Sequence, residues 1–164
     1  MPPTLLLKLL VPILALSASL PAMAGPKEQA VLQSYVGTWK GSSTVTGPMA
    51  GPVDCSLKFS AGSGGKFVYS GECEFDKGIT AFRGTLIYND SAKRYETAGS
   101  GQGVSVTGFG KVSGNSITFA VNNLDTSYGV ASSTMVFANP NIKLQFKLVD
   151  KRGTTSAAIT FTKR

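Results

Sequence analysis

Four carboxylates fall within a short span of this sequence, at Asp54, Glu72, Glu74 and Asp76. Carboxylates in pairs can hydrolyse glycosides, one as acid and the other as base or nucleophile. In a cluster they can hold a hard cation such as calcium. Cys55 and Cys73, the two cysteines of the chain, lie in the same region and could form a redox pair or a structural bridge. Arg83 could grip a ligand carboxylate if it pointed into an apolar interior, and is a surface residue otherwise. Gly99-Ser100-Gly101-Gln102-Gly103 is glycine-rich enough to approach a phosphate, but no helix follows it to present an N-terminus. The chain contains no His. That absence removes the commonest general base, the commonest metal ligand and most nucleophile triads. No Gly-x-Ser-x-Gly elbow is present, and no nucleophile stands beside a base. The sequence therefore nominates no catalytic residue, no metal site and no cofactor, and predicts a protein that is not an enzyme.

The elements that must position these residues beat with a period of two. Cys55-Leu57-Phe59 alternates with Ser56, Lys58 and Ser60. Phe67-Tyr69-Gly71-Cys73 alternates with Ser70 and Glu72. Ile117-Phe119-Val121, Ile142-Leu144-Phe146-Leu148 and Ala157-Ile159-Phe161 follow the same rule. One apolar and one mainly polar face mark strands buried on one side. Further runs cover 39–46, 79–88, 94–98, 104–112 and 132–138. The connections are short and turn-rich, as at Asn89-Asp90-Ser91, Ser113-Gly114-Asn115 and Asn139-Pro140-Asn141. Thr46 to Pro52 is the loosest of them. With no helical crossover, the strands form an antiparallel meander. A meander of this length curls, and closure removes its exposed edges. The expected fold is all-β, an up-and-down barrel of about 8–10 strands with a short N-terminal helix near Pro26–Tyr35. A two-sheet sandwich is the alternative.

One register can be worked out directly. Centring the loop Ala61–Gly65 near Gly64 sets Cys55 opposite Cys73, Leu57 opposite Gly71 and Phe59 opposite Tyr69. A cross-strand disulfide is then expected, well away from Cys-x-x-Cys redox spacing. The same register sets Asp54 opposite Glu74 on the outer face, with Lys58 and Lys77 near enough to relieve the repulsion. An outer strand end is a poor place for a hydrolytic cleft.

The chain has 164 residues and a net charge of +7. Residues 1–24 read as a signal peptide: Lys8 is their only charge, Leu9–Leu20 is largely apolar, and Ala22-Met23-Ala24 fits a small-x-small cleavage site. An uncleaved anchor is the alternative, although the apolar run is short for a membrane span. Residues 25–164 are expected to form one barrel domain, periplasmic or secreted, with no membrane span after cleavage. The basic surplus is scattered, with no stripe of interleaved aromatics, so no nucleic-acid partner is predicted.

Tyr35-Val36-Gly37-Thr38-Trp39 joins the helix to the first strand and carries the only Trp. Gly37 and Trp39 in this setting resemble the Gly-x-Trp start of the lipocalin-like (calycin) barrels, including exported bacterial members. The resemblance covers the helix, this motif and the hairpin meander. It implies that Trp39 packs at the closed end of the barrel beneath a basic residue from the last strand, Lys163 or Arg164. The nearest counterpart to the family's Thr-Asp-Tyr-like triplet is Asp125-Thr126-Ser127-Tyr128, in a different order. The resemblance also implies a carrier of small apolar molecules, though no His is present to ligate haem.

Alternation assigns Leu57, Phe59, Phe67, Tyr69, Phe119, Val121, Leu144 and Phe146 to the interior. These are the candidate ligand-binding residues. Glycines such as Gly71, Gly84, Gly108 and Gly110 thin the strands and are expected either to leave room for a small hydrophobic ligand or to mark bulges. The alternative is a filled core with a working outer face, as in a structural or interaction protein of the cell envelope.

Overall fold

The computed structural model describes residues 25–164. The expected signal peptide, residues 1–24, lies outside the described residues. Helix α1 (Pro26–Ser34) leads into ten strands: β1 (Gly37–Val45), β2 (Gly51–Ala61), β3 (Phe67–Phe75), β4 (Gly78–Asn89), β5 (Arg94–Gly101), β6 (Val104–Ser113), β7 (Ser116–Thr126), β8 (Gly129–Ala138), β9 (Asn141–Asp150) and β10 (Gly153–Lys163). Each strand pairs antiparallel with its neighbour in sequence, and β10 returns to β1, closing the barrel. The sandwich alternative is thereby excluded.

Several strands run further than the apolar pattern indicates. Gly99-Ser100-Gly101 continues β5, and only Gln102 and Gly103, at φ 51° and 76°, make the turn. Gly51 and Pro52 belong to β2, paired with Val45 and Thr44, so the expected loose loop at 46–52 is shorter than its composition indicated. Pro52 is exposed. Strand β7 continues past Val121 through a register shift before Leu124, where Asn123 takes φ 52°. Asp125-Thr126-Ser127-Tyr128 is the end of β7 and its turn. The Thr126 hydroxyl donates to the Gly129 carbonyl and accepts from the Tyr128 amide.

Register stacks the inward side chains in levels, because residues directly opposite share a face. Ile117, Phe137, Ile142 and Phe161 form one level; Phe119, Met135, Leu144 and Ile159 form the next; Val121, Ser133, Phe146 and Ala157 form a third. The first level is wholly buried and lies nearest the helix.

Helix α1 closes that end of the barrel. Leu32 and Tyr35 are buried against it. Gln29 Nε2 donates to the Gly65 carbonyl (3.1 Å), the Gly25 amide to Asp90 (3.1 Å) and Asn139 Nδ2 to Ser34 Oγ (2.7 Å). The helix is thus tied to three of the loops that ring this end.

Trp39 is 1% exposed. Its indole N–H donates to the Tyr35 carbonyl at 2.9 Å, so the buried polar atom is satisfied. Of the two basic candidates, Lys163 takes the position above it. Lys163 Nζ stands 5.6 Å from the ring centroid and donates to the Ser34 carbonyl at 3.0 Å. Gly37 has φ 134°, and a Cβ there would lie 2.8 Å from Lys163 Cε. The Gly-x-Trp pair therefore has a mechanical basis: the glycine leaves room for the lysine stem that covers the Trp.

The first hairpin has the worked-out register, with Cys55 opposite Cys73, Leu57 opposite Gly71 and Phe59 opposite Tyr69. Cys55 and Cys73 form a disulfide, and both are buried.

Candidate ligand site in the barrel interior

The inward residues divide into two sets. Leu57, Phe59, Phe67 and Phe119 are buried in the packed core with Leu86, Phe137, Ile142 and Phe161. Tyr69, Val121, Leu144 and Phe146 share their inward face but remain partly accessible to water. The same holds for Phe82, Val104, Val106, Leu124, Met135 and Leu148. Alternation alone had grouped all eight candidates together. Among them only the second four are partly accessible, and Phe82, Val104, Val106, Leu124, Met135 and Leu148 join them. The signal for Phe82 was present: it shares parity with Leu86 and Tyr88, and the cost of burying an unpaired Arg83 guanidinium favours that parity facing inward.

Wall glycines seat rings here. Gly71 and Gly101 flank Phe82 in register, and a Cβ on Gly71 would lie 2.2 Å from Phe82 Cζ. Tyr69 leans the other way. Its hydroxyl crosses Gly84 to Gly99, 2.4 Å and 2.5 Å from the Cβ positions those residues lack. Gly110 lies under Ile117, Phe119 and Tyr95. Of the two readings of these glycines, room for a ligand or bulges, the first does not hold at Gly71, Gly84 and Gly110, whose missing side-chain positions are occupied by neighbouring side chains. Gly108 alone of the four is free of close contact, with Thr97 Cγ2 at 3.5 Å. An eight-stranded barrel is about as wide as its own side chains can fill, and ten strands enclose more.

The wall is unevenly sealed. Register partners between β6 and β7 are confined to Lys111–Thr118, Val112–Ile117 and Ser113–Ser116. Beyond Gly110 and Phe119 no register pairing continues, towards the irregularity between Val121 and Leu124. Between β1 and β10, pairing covers Trp39–Lys163 and Lys40–Thr162, with one further bridge between Thr46 and Ser156. There the Ser43 hydroxyl donates to the Ala158 carbonyl at 2.7 Å.

Charge is kept outside. Arg83 is exposed, paired in register with Ser70 and Ser100 on the outer face. The carboxylates Asp54, Glu72 and Glu74 line an outer groove with Lys40 and Arg164. Those two cations, and not Lys58 or Lys77, are its basic neighbours. Ser42 Oγ donates to Asp54 at 2.5 Å. No group of three or more metal-ligating side chains forms among the described residues. A second outer groove, of about 530 Å³, runs over Thr44, Thr134, Gln145, Lys147 and Ser156 and also touches Ser43, Ser133, Phe146 and Ala157, which share the inward face.

An apolar interior and an outer wall rich in Lys, Ser, Thr and Glu invert the pattern of a membrane barrel, whose lipid-facing side is apolar. Among the described residues no helix is long and apolar enough to cross a membrane.

Two tyrosines at the closed end are held protonated. Burial raises the Tyr95 phenol to about 12, with Glu28, Tyr88 and Tyr35 adding to the effect. Burial also raises Tyr35, partly offset by the Asn139 amide that donates to its oxygen.

No protein-family model matches the sequence, and no curated protein is similar to it. Solved structures are similar in fold. The M. tuberculosis protein Rv2717c superposes with a TM-score of 0.59 at 13% identity, over 85% of this chain and 99% of that one. The S-type phycobiliprotein lyase CPES of Guillardia theta gives 0.55 at 13% identity, over 84% of this chain and 92% of that one. At this identity the likeness shows a shared barrel fold.

Proposed function

We propose that this chain is an exported, non-catalytic binding protein that holds a small hydrophobic molecule in the half of its barrel remote from α1. One observation carries the reading: Tyr69, Phe82, Val104, Val121, Met135, Leu144 and Phe146 face inward, yet all remain within reach of water. Apolar side chains bordering water in a concave site are the usual setting for a small apolar ligand. Export is supported by the disulfide, which persists in oxidising compartments, and by the signal-like sequence of residues 1–24. It points to the periplasm or the extracellular medium. A lyase occurs among proteins of this fold, so the fold is neutral on catalysis. The non-catalytic reading rests on the lack of His and on the exposed outer-face setting of Ser42 and Asp54, the hydroxyl–carboxylate pair of the outer carboxylate groove. Titration with N-phenyl-1-naphthylamine tests the site. Saturable fluorescence enhancement that weakens when Leu144 or Met135 is replaced by Trp is the expected result. An interior that takes up no apolar probe would overturn it.

The two outer grooves favour a second reading, contact with another envelope component through the outer wall. Their linings are mainly hydroxyl and charged groups. They offer few of the aromatic anchors that dominate protein interfaces. Cross-linking in the native envelope that captured one defined partner through Thr134 or Gln145 would support this reading over the first.

A further inference from the structure

We infer that the ligand of this barrel is an electrically neutral molecule, such as an alcohol, ketone or hydrocarbon, and that ionised fatty acids and amines are rejected. This rests on the interior-binding reading above and narrows it to a chemical class. The observation is the sorting of charge across the wall. Among the described residues the buried side chains with polar atoms are Thr155, at 2% exposure, and the rings of Tyr35, Trp39 and Tyr95, and none of them is charged. Every Lys and Arg in the described barrel is exposed. The inward positions carry hydroxyls, at Ser43, Tyr69, Thr97, Ser133 and Thr155, and no formal charge along their length.

The two ends confirm the sorting. Asp150 shares inward parity with Leu148 but sits at the rim, bound by Arg152 through Nη2 (2.6 Å), Nε (2.9 Å) and the backbone amide (2.7 Å). Lys163, at the opposite end, is committed to the Ser34 carbonyl and the Trp39 ring. Neither is free to pair with a ligand. No buried polar side-chain atom of the described residues lacks a partner, so the core holds no orphan group waiting for a charge. A carboxylate or ammonium entering this interior would shed its water and find only hydroxyls, and an unpaired buried charge is costly. A hydroxyl or carbonyl meets no such penalty. Thr97 Oγ1 already donates to the Thr85 carbonyl at 3.0 Å. The Tyr69 O–H, 3.4 Å from that same oxygen, is loosely held and can turn to a ligand oxygen.

The test is competition against N-phenyl-1-naphthylamine at pH 8 with three ten-carbon chains: 1-decanol, decanoate and decylammonium. Equal tails isolate the head group. The inference expects decanol to displace the probe at concentrations roughly 100-fold below either ion. It also expects decanoate to gain potency as the pH falls and its carboxyl takes up a proton. Decanoate or decylammonium competing as well as decanol at pH 8 would overturn the neutral-ligand inference while leaving interior binding intact. Failure of the probe itself to bind would overturn the interior-binding reading, and this inference with it.

Discussion

The Phe82 ring fills the place that a side chain on Gly71 would take, its Cζ 2.2 Å from the missing Cβ. Ring and glycine face each other across the β3–β4 ladder, so neither can change without the other. Gly71→Ala is expected to destabilise the barrel by about 1–3 kcal/mol through forced rotation of the ring. Gly108→Ala, at a wall position with ordinary contact, is expected to change stability by less than about 0.5 kcal/mol. Urea unfolding of the two variants checks the contrast. Equal effects would mean that Phe82 does not rest on Gly71.

The Cys55–Cys73 bridge closes a loop of sequence separation 18. By the chain-entropy relation its loss in a Cys55→Ala/Cys73→Ala double variant should cost about 3 kcal/mol, mostly through a freer unfolded chain. The midpoint of chemical unfolding should fall while ligand uptake persists in the folded protein, because the bridge lies outside the set of water-accessible interior residues.

Lys163 covers Trp39 and ties the last strand to the helix. Lys163→Ala is expected to cost about 0.5–1.5 kcal/mol, the sum of a partly exposed cation–π contact and one charge-assisted hydrogen bond. Trp39 is the only Trp, so its fluorescence reports the closed end directly. Lys163→Arg should restore much of the loss, and Lys163→Met should not.

Tyr95 sets an alkaline limit. Its phenol is raised from 10.0 to about 12 in the folded chain. Between those values the unfolded state has lost its proton and the folded state has kept it. Stability is then unaffected by this group below pH 10 and falls as pH rises towards 12, by up to about 1.4 kcal/mol per pH unit. Tyr35, also raised by burial, acts in the same direction. In Tyr95→Phe the alkaline decline should be shallower. Thermal unfolding across this pH range, read with phenolate absorbance, makes the measurement.

The short register pairing between β6 and β7 should be visible in amide exchange. With register pairing limited to three residue pairs near the turn, amides facing the seam from Val104–Gly110 and from Phe119–Asn122 should exchange faster than those of Ile142–Leu148, which pair on both sides. Equal protection across both regions would show the seam to be sealed.

The strands, the hairpin register and the disulfide were legible because they depend on local order. A period of two says which residues share a face, and the short loop before Phe67 sets Cys55 against Cys73 with no knowledge of the rest. The Gly37–Trp39 motif carried the closed end in the same way, though not the choice of Lys163 over Arg164. Other features depend on atoms far apart in sequence. Alternation along β4 could not say whether Phe82 or Arg83 faced inward, since that is decided by burial against strands on the opposite wall. Gly71, Gly84 and Gly110 could have meant vacancy, and only the packing of Phe82, Tyr69 and Phe119 showed them to be filled. Which inward residues are wholly buried was likewise a matter of closure: the helix packs one end of the ring of strands, so that Ile117, Phe137, Ile142 and Phe161 are buried while Val121, Leu144 and Phe146 stay partly accessible, and a list of inward-facing residues does not contain that asymmetry.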